Sequence, residues 1–137
     1  MSTPSRCGGI AALLLACSIA AAGAAGAQTR HTFGGKTGQG RTLSFVVSGN
    51  RITGLRFSIT LKCTDGSGLT DTEQGFAAIP FGAGGRFADV QGGSTDVVRV
   101  RGAVTGRTVT GRVRVTDRPV KNVACDSGAV RFTARRR

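Results

Sequence analysis

Residues 96–117 read DVVRVRGAVTGRTVTGRVRVTD, and valine alternates there with arginine, threonine or small residues on both sides of a short break. Side chains that alternate with a period of two are typical of β-strands, so the stretch predicts a β-hairpin. A two-residue turn at Gly106 and Arg107 would put glycine at the first turn position, where a type II′ turn needs positive φ. This turn pairs Val104 with Val109 and collects the valines on one face. A slip of one residue would move them to the other face.

The same pairing decides where the arginines of the hairpin lie. It puts Arg101 opposite Arg112 on the exposed face, and Arg99 opposite Arg114. Like charges directly opposite one another are destabilising. We therefore expect salt, nearby acids or an anionic partner to relieve the repulsion on this face. Two further arginines near the C-terminus extend the patch if the last strand pairs beside the hairpin. The predicted anion-binding residues are Arg99, Arg101, Arg112, Arg114, Arg131 and Arg135.

Short strands and glycine-containing turns fill the rest of the chain. In the stretch 51–63 apolar residues alternate with polar ones, and it pairs with 41–48 across a Ser-Gly-Asn turn. The polar stretch 64–74 and the stretch 118–122, which contains Pro119, are predicted to be loops. About eight or nine short strands, with no sustained helical period, predict an all-β antiparallel β-sandwich, with a small β-barrel as the alternative. The remaining strands are predicted at 29–36, 75–80, 86–90, 123–125 and 129–135.

Residues 1–27 have the pattern of a helical signal peptide. A short segment with Arg6 is followed by an apolar, alanine-rich run, and Ala25 and Ala27 supply the small residues of a cleavage site. The run is too short, and too rich in alanine and glycine, for a good membrane span. We expect cleavage near Ala27 and a single domain at 28–137, secreted or associated with the cell envelope and without a transmembrane span.

A lipoprotein signal is the alternative for the same segment. Leu14, Leu15 and Ala16 precede Cys17 as they do in bacterial sites where the cysteine becomes acylated. Leu15 occupies a position that usually holds a smaller residue, and the apolar run continues beyond Cys17. The pattern therefore favours cleavage near Ala27 over a lipoprotein anchored at Cys17.

Cleavage near Ala27 would leave Cys63 and Cys125 as the cysteines of the exported chain. Two cysteines of an exported protein most simply form one disulfide. The alternative, a redox or nucleophilic cysteine, needs a neighbouring base, and the one histidine, His31, lies close to the expected mature start. We therefore predict a Cys63–Cys125 disulfide that ties the end of one hairpin to the entry of the last strand.

The sequence offers little for catalysis, and we predict a non-enzymatic protein without catalytic residues, cofactor or metal. A Ser-His-Asp triad would depend on His31, and the sequence has no G-x-S-x-G motif. A carboxylate-based hydrolase is the less favoured alternative, because acids are present but neither Trp nor Tyr is there to hold a sugar. Calcium is a weak alternative, since Asp65, Asp71 and Glu73 offer oxygen ligands without the EF-hand spacing.

The charge balance bears on the partner. The chain has 19 Lys and Arg against 7 Asp and Glu, a net charge of +12, and such a surface attracts anionic polymers. Because export makes genomic nucleic acid an unexpected target, we predict binding or structural work on an anionic polymer of the cell envelope, either phosphate-bearing or carboxylated. A composition rich in arginine with a solvated sheet face explains the same residues. The alternative role is a secreted carrier that holds a protein or small ligand in a pocket at the sandwich end.

Seven short motifs occur together along the chain. They are FGGKT at 33–37, CTDG at 63–66, GRF at 85–87, VTGR at 104–107, GRVRV at 111–115, CDSG at 125–128 and FTAR at 132–135. Together they resemble small exported one-disulfide β-domains of high-GC Gram-positive bacteria, over nearly all of 33–135. The resemblance implies export and an all-β fold, and it brings no catalytic residue to this chain.

Overall fold

The computed structural model describes residues 26–137, which form ten β-strands and one short 3₁₀ turn at Ala83–Gly85. The predicted signal peptide, apart from its last two residues, and the alternative lipidation residue Cys17 lie outside the described residues. The strands are β1 Arg30–Thr37, β2 Thr42–Ser48, β3 Arg51–Cys63, β4 Gly68–Glu73, β5 Ile79–Pro80, β6 Arg86–Gly92, β7 Asp96–Thr105, β8 Thr108–Val120, β9 Val123–Asp126 and β10 Val130–Arg136.

Six strands close into an antiparallel barrel in the order β10-β1-β2-β3-β9-β8, and β10 pairs with β8 to complete the ring. The other strands lie outside the ring: β4 and β5 pair with β3, β7 pairs with β8, and β6 pairs with β7. The all-β prediction is confirmed, and of its two forms the structure has the alternative, the small barrel, instead of the sandwich. The reason is that β10 pairs on one edge with β1 and on the other with β8, which joins the sheet to itself.

The hairpin at 96–117 has the predicted register. Val104 pairs with Val109, Val100 with Val113, and the turn residue Gly106 has a φ of 59°. The inward valines are buried, with Val109 and Val113 fully inaccessible to solvent. The pattern of the sequence and the turn chemistry therefore agree on a single pairing, as hairpins with one buried face require.

Two predicted loops and one predicted strand are wrong in detail. The polar stretch 64–74 contains β4, in which Leu69 pairs with Leu61. Strand β8 runs on to Val120, into residues expected to form a loop, and the segment 75–80 is a strand only at Ile79–Pro80. The sequence of β4, GLTDTE, lacks an apolar alternation because β4 pairs on one side only, and edge strands commonly carry charged residues.

Two glycines lie between two aromatic rings along one inward row that crosses four strands. Phe87 of β6 pairs with Gly102 of β7, Gly102 pairs with Gly111 of β8, and Gly111 pairs with Phe132 of β10. Both rings are buried. A Cβ atom added at Gly102 would lie 2.8 Å from the Phe87 ring, and one added at Gly111 would lie 2.7 Å from the Phe132 ring. The rings therefore occupy the space that side chains at the two glycines would fill.

Two glutamine side chains close gaps that the strands leave. Strand β3 pairs with β2 up to Phe57 and with β9 from Lys62. Between these pairings, the Gln39 amide accepts a hydrogen bond from Thr60 N (2.8 Å) and donates one to Thr60 O (2.9 Å). Gln91 of β6 does the same for Ala77, with distances of 2.8 and 3.1 Å. Each amide therefore supplies the pair of hydrogen bonds that a neighbouring strand would make.

The Cys63–Cys125 disulfide is confirmed. The two cysteines are directly opposite one another in β3 and β9, and they are 62 residues apart in sequence. On the chain-entropy model, a cross-link over such a loop stabilises the fold by about 4 kcal/mol. It fixes β9, and with it the start of β10, against the end of β3.

Candidate anion-binding face

The arginines of the hairpin form rows on the outer face of the sheet, because strand alternation sends them away from the buried valines. Arg101 of β7 pairs with Arg112 of β8, and Arg112 pairs on its other side with Arg131 of β10. The three side chains are exposed. Neighbouring strands lie about 4.8 Å apart, so this arginine row places three guanidinium groups on three consecutive strands.

The next row along the strands contains Arg99 of β7 opposite Arg114 of β8. Residues two apart on a strand are separated by about 7 Å, so this row runs parallel to the arginine row of Arg101, Arg112 and Arg131. Arg135 lies on the same outer face, further along β10, where it pairs with Thr108 and with Gly34 of β1. The structure therefore brings five of the six predicted residues together and leaves Arg135 at the margin of the face.

One acid engages this face directly. The carboxylate of Asp126 in β9 accepts hydrogen bonds from Arg114 Nε (3.0 Å) and from Arg114 Nη2 (2.5 Å). Asp126 also accepts a hydrogen bond from Gly128 N (2.8 Å). The hydrogen bonds from Arg114 hold the pKa of Asp126 below its usual value, and the positive charge of Arg99 acts in the same direction. Among residues 26–137 this is the one ion pair, and it fixes the side chain of Arg114.

Two shallow depressions lie on either side of the Arg101–Arg112 pair. The larger, about 850 Å³, crosses β6, β7, β8 and β10. Opposite the arginine row, its side is formed by Ala103 and Thr110, with Thr133 at one end and Arg86 at the other, and Gly102 and Gly111 lie between the two rows. The smaller, about 340 Å³, lies towards Arg99 and Arg114. The outer face is therefore grooved, and the grooves run across the strands.

The sequence did not reveal three residues of the larger groove, Arg86, Thr110 and Thr133. Each occupies an outward position in a predicted strand, so alternation alone identifies it as exposed. Their meeting depends on the strand order: Ala103 of β7 pairs with Arg86 on one side and with Thr110 on the other, and Thr110 pairs with Thr133. Pairing between strands far apart in sequence carries no local signal.

The weak calcium candidates Asp65, Asp71 and Glu73 have different local surroundings. Asp65 lies in the turn after β3, where its carboxylate accepts hydrogen bonds from Ser67 N (2.9 Å) and Ser67 Oγ (2.6 Å), which lower its pKa. Asp71 accepts a hydrogen bond from Thr72 N (2.7 Å). Glu73, at the end of β4, is half-buried. In the described part of the chain no three His, Cys, Asp or Glu side chains are arranged to hold a metal ion.

A separate cleft of about 720 Å³ lies beside the disulfide. Residues from β3, β8 and β9 and from the loop before β7 line it, and they include Lys62, Thr95, Asp117 and Arg118. The interior of the barrel, by contrast, is filled by side chains, since Ile59, Val109, Val113 and Ala134 are fully buried. The cleft is thus the location that the carrier alternative would use.

No helix within residues 26–137 combines the length and the apolar character that crossing a membrane requires. Comparison with known protein families, with curated proteins and with solved structures finds no match for the chain.

Proposed function

We propose that the protein is a non-enzymatic, exported binding or structural domain that acts at the cell envelope, and that its arginine face binds anionic polymers. The observation that supports this most is the row of Arg101, Arg112 and Arg131 on three adjacent strands. Three like charges in contact positions oppose the fold, and an anionic ligand relieves that repulsion. A purely structural sheet face gains nothing from such an arrangement.

The disulfide supports the proposed compartment. Structural disulfides persist in oxidising environments outside the cytoplasm, and Cys63 and Cys125 form one here. Secretion with cleavage near Ala27 is the form of export that we propose, with the lipoprotein at Cys17 as the alternative. The small exported β-domains that the sequence motifs resemble fit the same proposal.

Retention on an anionic matrix tests the function. We expect wild-type protein to bind a phosphorylated or carboxylated matrix and to elute at a salt concentration that reflects several ion contacts. The variant with Arg99, Arg101, Arg112 and Arg114 changed to Ser should elute close to the void volume.

The matched control changes four exposed basic residues outside the face to Ser, namely Arg30, Arg51, Arg56 and Lys121. Both variants lose the same charge, so if retention depended only on the net positive charge of the protein, it would weaken equally in the two. Equal elution of the face variant and wild type would reject the function proposed here. An envelope extract passed over immobilised wild type and face variant would then show whether a natural polymer follows the same preference.

A second candidate function, carriage of a small ligand, depends on the cleft beside Cys63 and Cys125. Charged and hydroxyl-bearing residues line it, so a polar ligand is the appropriate class. Binding there would be insensitive to changing Arg99, Arg101 and Arg112 to Ser, which leaves Arg114 paired with the cleft residue Asp126. It would be lost when Thr95 or Thr116 is replaced by a bulky Trp that fills the cleft. Retention on the anionic matrix and capture of ligand from growth medium, measured on the arginine variant and on the Trp variant, distinguish the two functions.

A further inference from the structure

The larger groove, beside the arginine row, is elongated across the strands. It crosses β6, β7, β8 and β10, so its long axis runs perpendicular to the strands. Three interstrand spacings give it a length of roughly 14 Å. Arg101, Arg112 and Arg131 line one side along this axis, one arginine per strand. A ligand that follows the groove therefore meets positive charges at intervals set by the strand spacing.

The side of the groove opposite the arginine row suits a thin chain. Ala103 and Thr110 are small on that side, and Gly102 and Gly111 between the two rows carry no side chain, so the groove is open there. The hydroxyl groups of Thr110 and Thr133 can donate hydrogen bonds to anionic oxygens. Arg86 lies at the β6 end and adds a further guanidinium. Guanidinium groups offer forked donors that match the two free oxygens of a phosphate group.

Arg114 differs from the arginine row in its availability. Its Nε and Nη2 groups are already bound to Asp126. No such ion pair involves Arg101, Arg112 or Arg131 among the described residues. The guanidinium groups of the arginine row, like that of Arg99, can therefore meet a ligand without losing an ion pair, whereas that of Arg114 cannot.

The face provides no flat platform for rings. Five of the seven phenylalanines are buried in the core, and Phe76 and Phe81 pack against it. Phe87 and Phe132 contribute to the lining of the groove, but both side chains are buried, and the outward residues of the groove are arginine, alanine and threonine. Recognition of sugar rings or nucleobases commonly uses aromatic stacking, which this surface does not offer. The surface instead suits a ligand whose recognisable groups are its charges.

We propose that the groove beside Arg101, Arg112 and Arg131 is the seat of a linear phosphodiester chain without stacked rings, which lies across the strands and places successive phosphates against successive arginines. This rests on the proposed function, and it specifies both the ligand class and its orientation. Arg86, Thr110 and Thr133 complete the seat. Arg99 and Arg114 form its outer margin.

Binding of synthetic poly(glycerol phosphate) of defined length to the processed protein tests the seat, with affinity measured over a series of salt concentrations. Changing Arg101, Arg112 and Arg131 together to Ser should lower the affinity on the order of tenfold and flatten the slope of log affinity against log salt by about 2, since each contact contributes about 0.7. A trimer should bind well, and glycerol phosphate alone should bind weakly. The melting temperature of this variant should equal or exceed that of wild type, because repulsion is removed.

The control variant changes Arg30, Arg51 and Arg56 to Ser and should keep the wild-type affinity and slope. If both triple variants lose affinity equally, or if Arg99→Ser with Arg114→Ser costs as much as the seat variant, the crosswise seat is rejected. If wild type binds polygalacturonate of equal charge as tightly as the phosphodiester, the ligand class is rejected while the proposed function remains. If wild type binds neither polymer, the proposed function fails as well.

Discussion

The side-chain amide of Gln39 bonds both the N–H and the C=O of Thr60, at 2.8 and 2.9 Å. Gln39 lies in the turn between β1 and β2, whereas Thr60 lies in β3 between the segments that pair with β2 and β9. The amide therefore completes the hydrogen bonding of β3 at the point where neither strand reaches it. At this one position a side chain takes the place of a neighbouring strand.

Replacing Gln39 with Ala should destabilise the protein by about 1 kcal/mol, because two hydrogen bonds to backbone groups are lost and water replaces them. Gln39→Glu should cost at least as much at neutral pH, since its carboxylate still accepts the hydrogen bond from Thr60 N but places a second acceptor oxygen against Thr60 O. Urea unfolding measures both, and amide hydrogen exchange at Thr60 should accelerate in the Ala variant. Gln74→Ala removes an exposed amide from a loop and is the control. Unchanged exchange at Thr60 would contradict the closing role of Gln39.

The hairpin register, the disulfide and the all-β class could be predicted because each has a local or compositional signal. Val104 and Val109 are joined by a two-residue turn, and Cys63 and Cys125 are the cysteines that the predicted cleavage leaves. The closure of the sheet had no such signal, because β10 pairs with β1 and β8 across long sequence separations. Alternation along a strand predicts which of its faces is buried, but it does not predict which other strand pairs with it.

The same limit applies to the candidate site. The pairs Arg101–Arg112 and Arg99–Arg114 follow from the hairpin, whereas the place of Arg131 was conditional on the pairing of the last strand. The structure satisfies that condition. The groove depends on β6, β7, β8 and β10 lying side by side, and the ion pair with Asp126 depends on β9 pairing beside β8, neither of which alternation can reveal.

Arg112 and Arg114 are two residues apart on β8 and should have opposite effects on stability. Arg112 faces like charges on both sides, from Arg101 and Arg131. Arg112→Ser should therefore raise the free energy of unfolding by about 0.5 kcal/mol at low salt. Arg114→Ser removes the exposed ion pair with Asp126 and should lower it by a similar or smaller amount.

Salt and acid provide the checks on this pair of variants. High salt should shrink both effects, because the groups are exposed to solvent. The pKa of Asp126 is lowered in the folded protein, so the contribution of the ion pair is present above the unfolded pKa and is lost as pH falls through the folded pKa. The deficit of Arg114→Ser should vanish in acid. A destabilised Arg112→Ser at neutral pH would contradict the repulsion across the row.

Gly111 should not tolerate a side chain. A Cβ atom there would overlap the carbonyl oxygen of Arg101 and would lie 2.7 Å from the ring of Phe132. Gly111→Ala should therefore destabilise the protein by about 1–3 kcal/mol, the usual cost of overpacking a filled core. Gly68→Ala in β4 is the control, because its Cβ would meet only Leu61 O at 3.7 Å, so its unfolding transition should stay within about 0.5 kcal/mol of wild type. Equal stability of the two variants in urea would show that the ring of Phe132 moves aside readily.

Glu73 should make the protein less stable as pH rises. Burial raises the pKa of its carboxyl above the usual value, and the charges of Asp71, Asp96 and Asp117 add to the effect. Asp96 and Asp117 are themselves directly opposite one another in β7 and β8. Because the folded pKa exceeds the unfolded one, this contribution to stability is fully present below the unfolded pKa and is lost as pH rises through the folded pKa.

Glu73→Gln keeps the shape of the side chain and removes its charge. The variant should melt at a higher temperature than wild type at neutral pH, and the difference should disappear below the ordinary pKa of glutamate, where Glu73 is protonated in both states. Asp71→Asn, which changes an exposed neighbour of Glu73, should give a smaller gain in the same direction. Thermal melts of all three proteins over an acid-to-neutral pH series measure this. If Glu73→Gln lowered the melting temperature at neutral pH, then the carboxylate would be stabilised by the fold, and the acidic residues around it would not be acting as repelling charges.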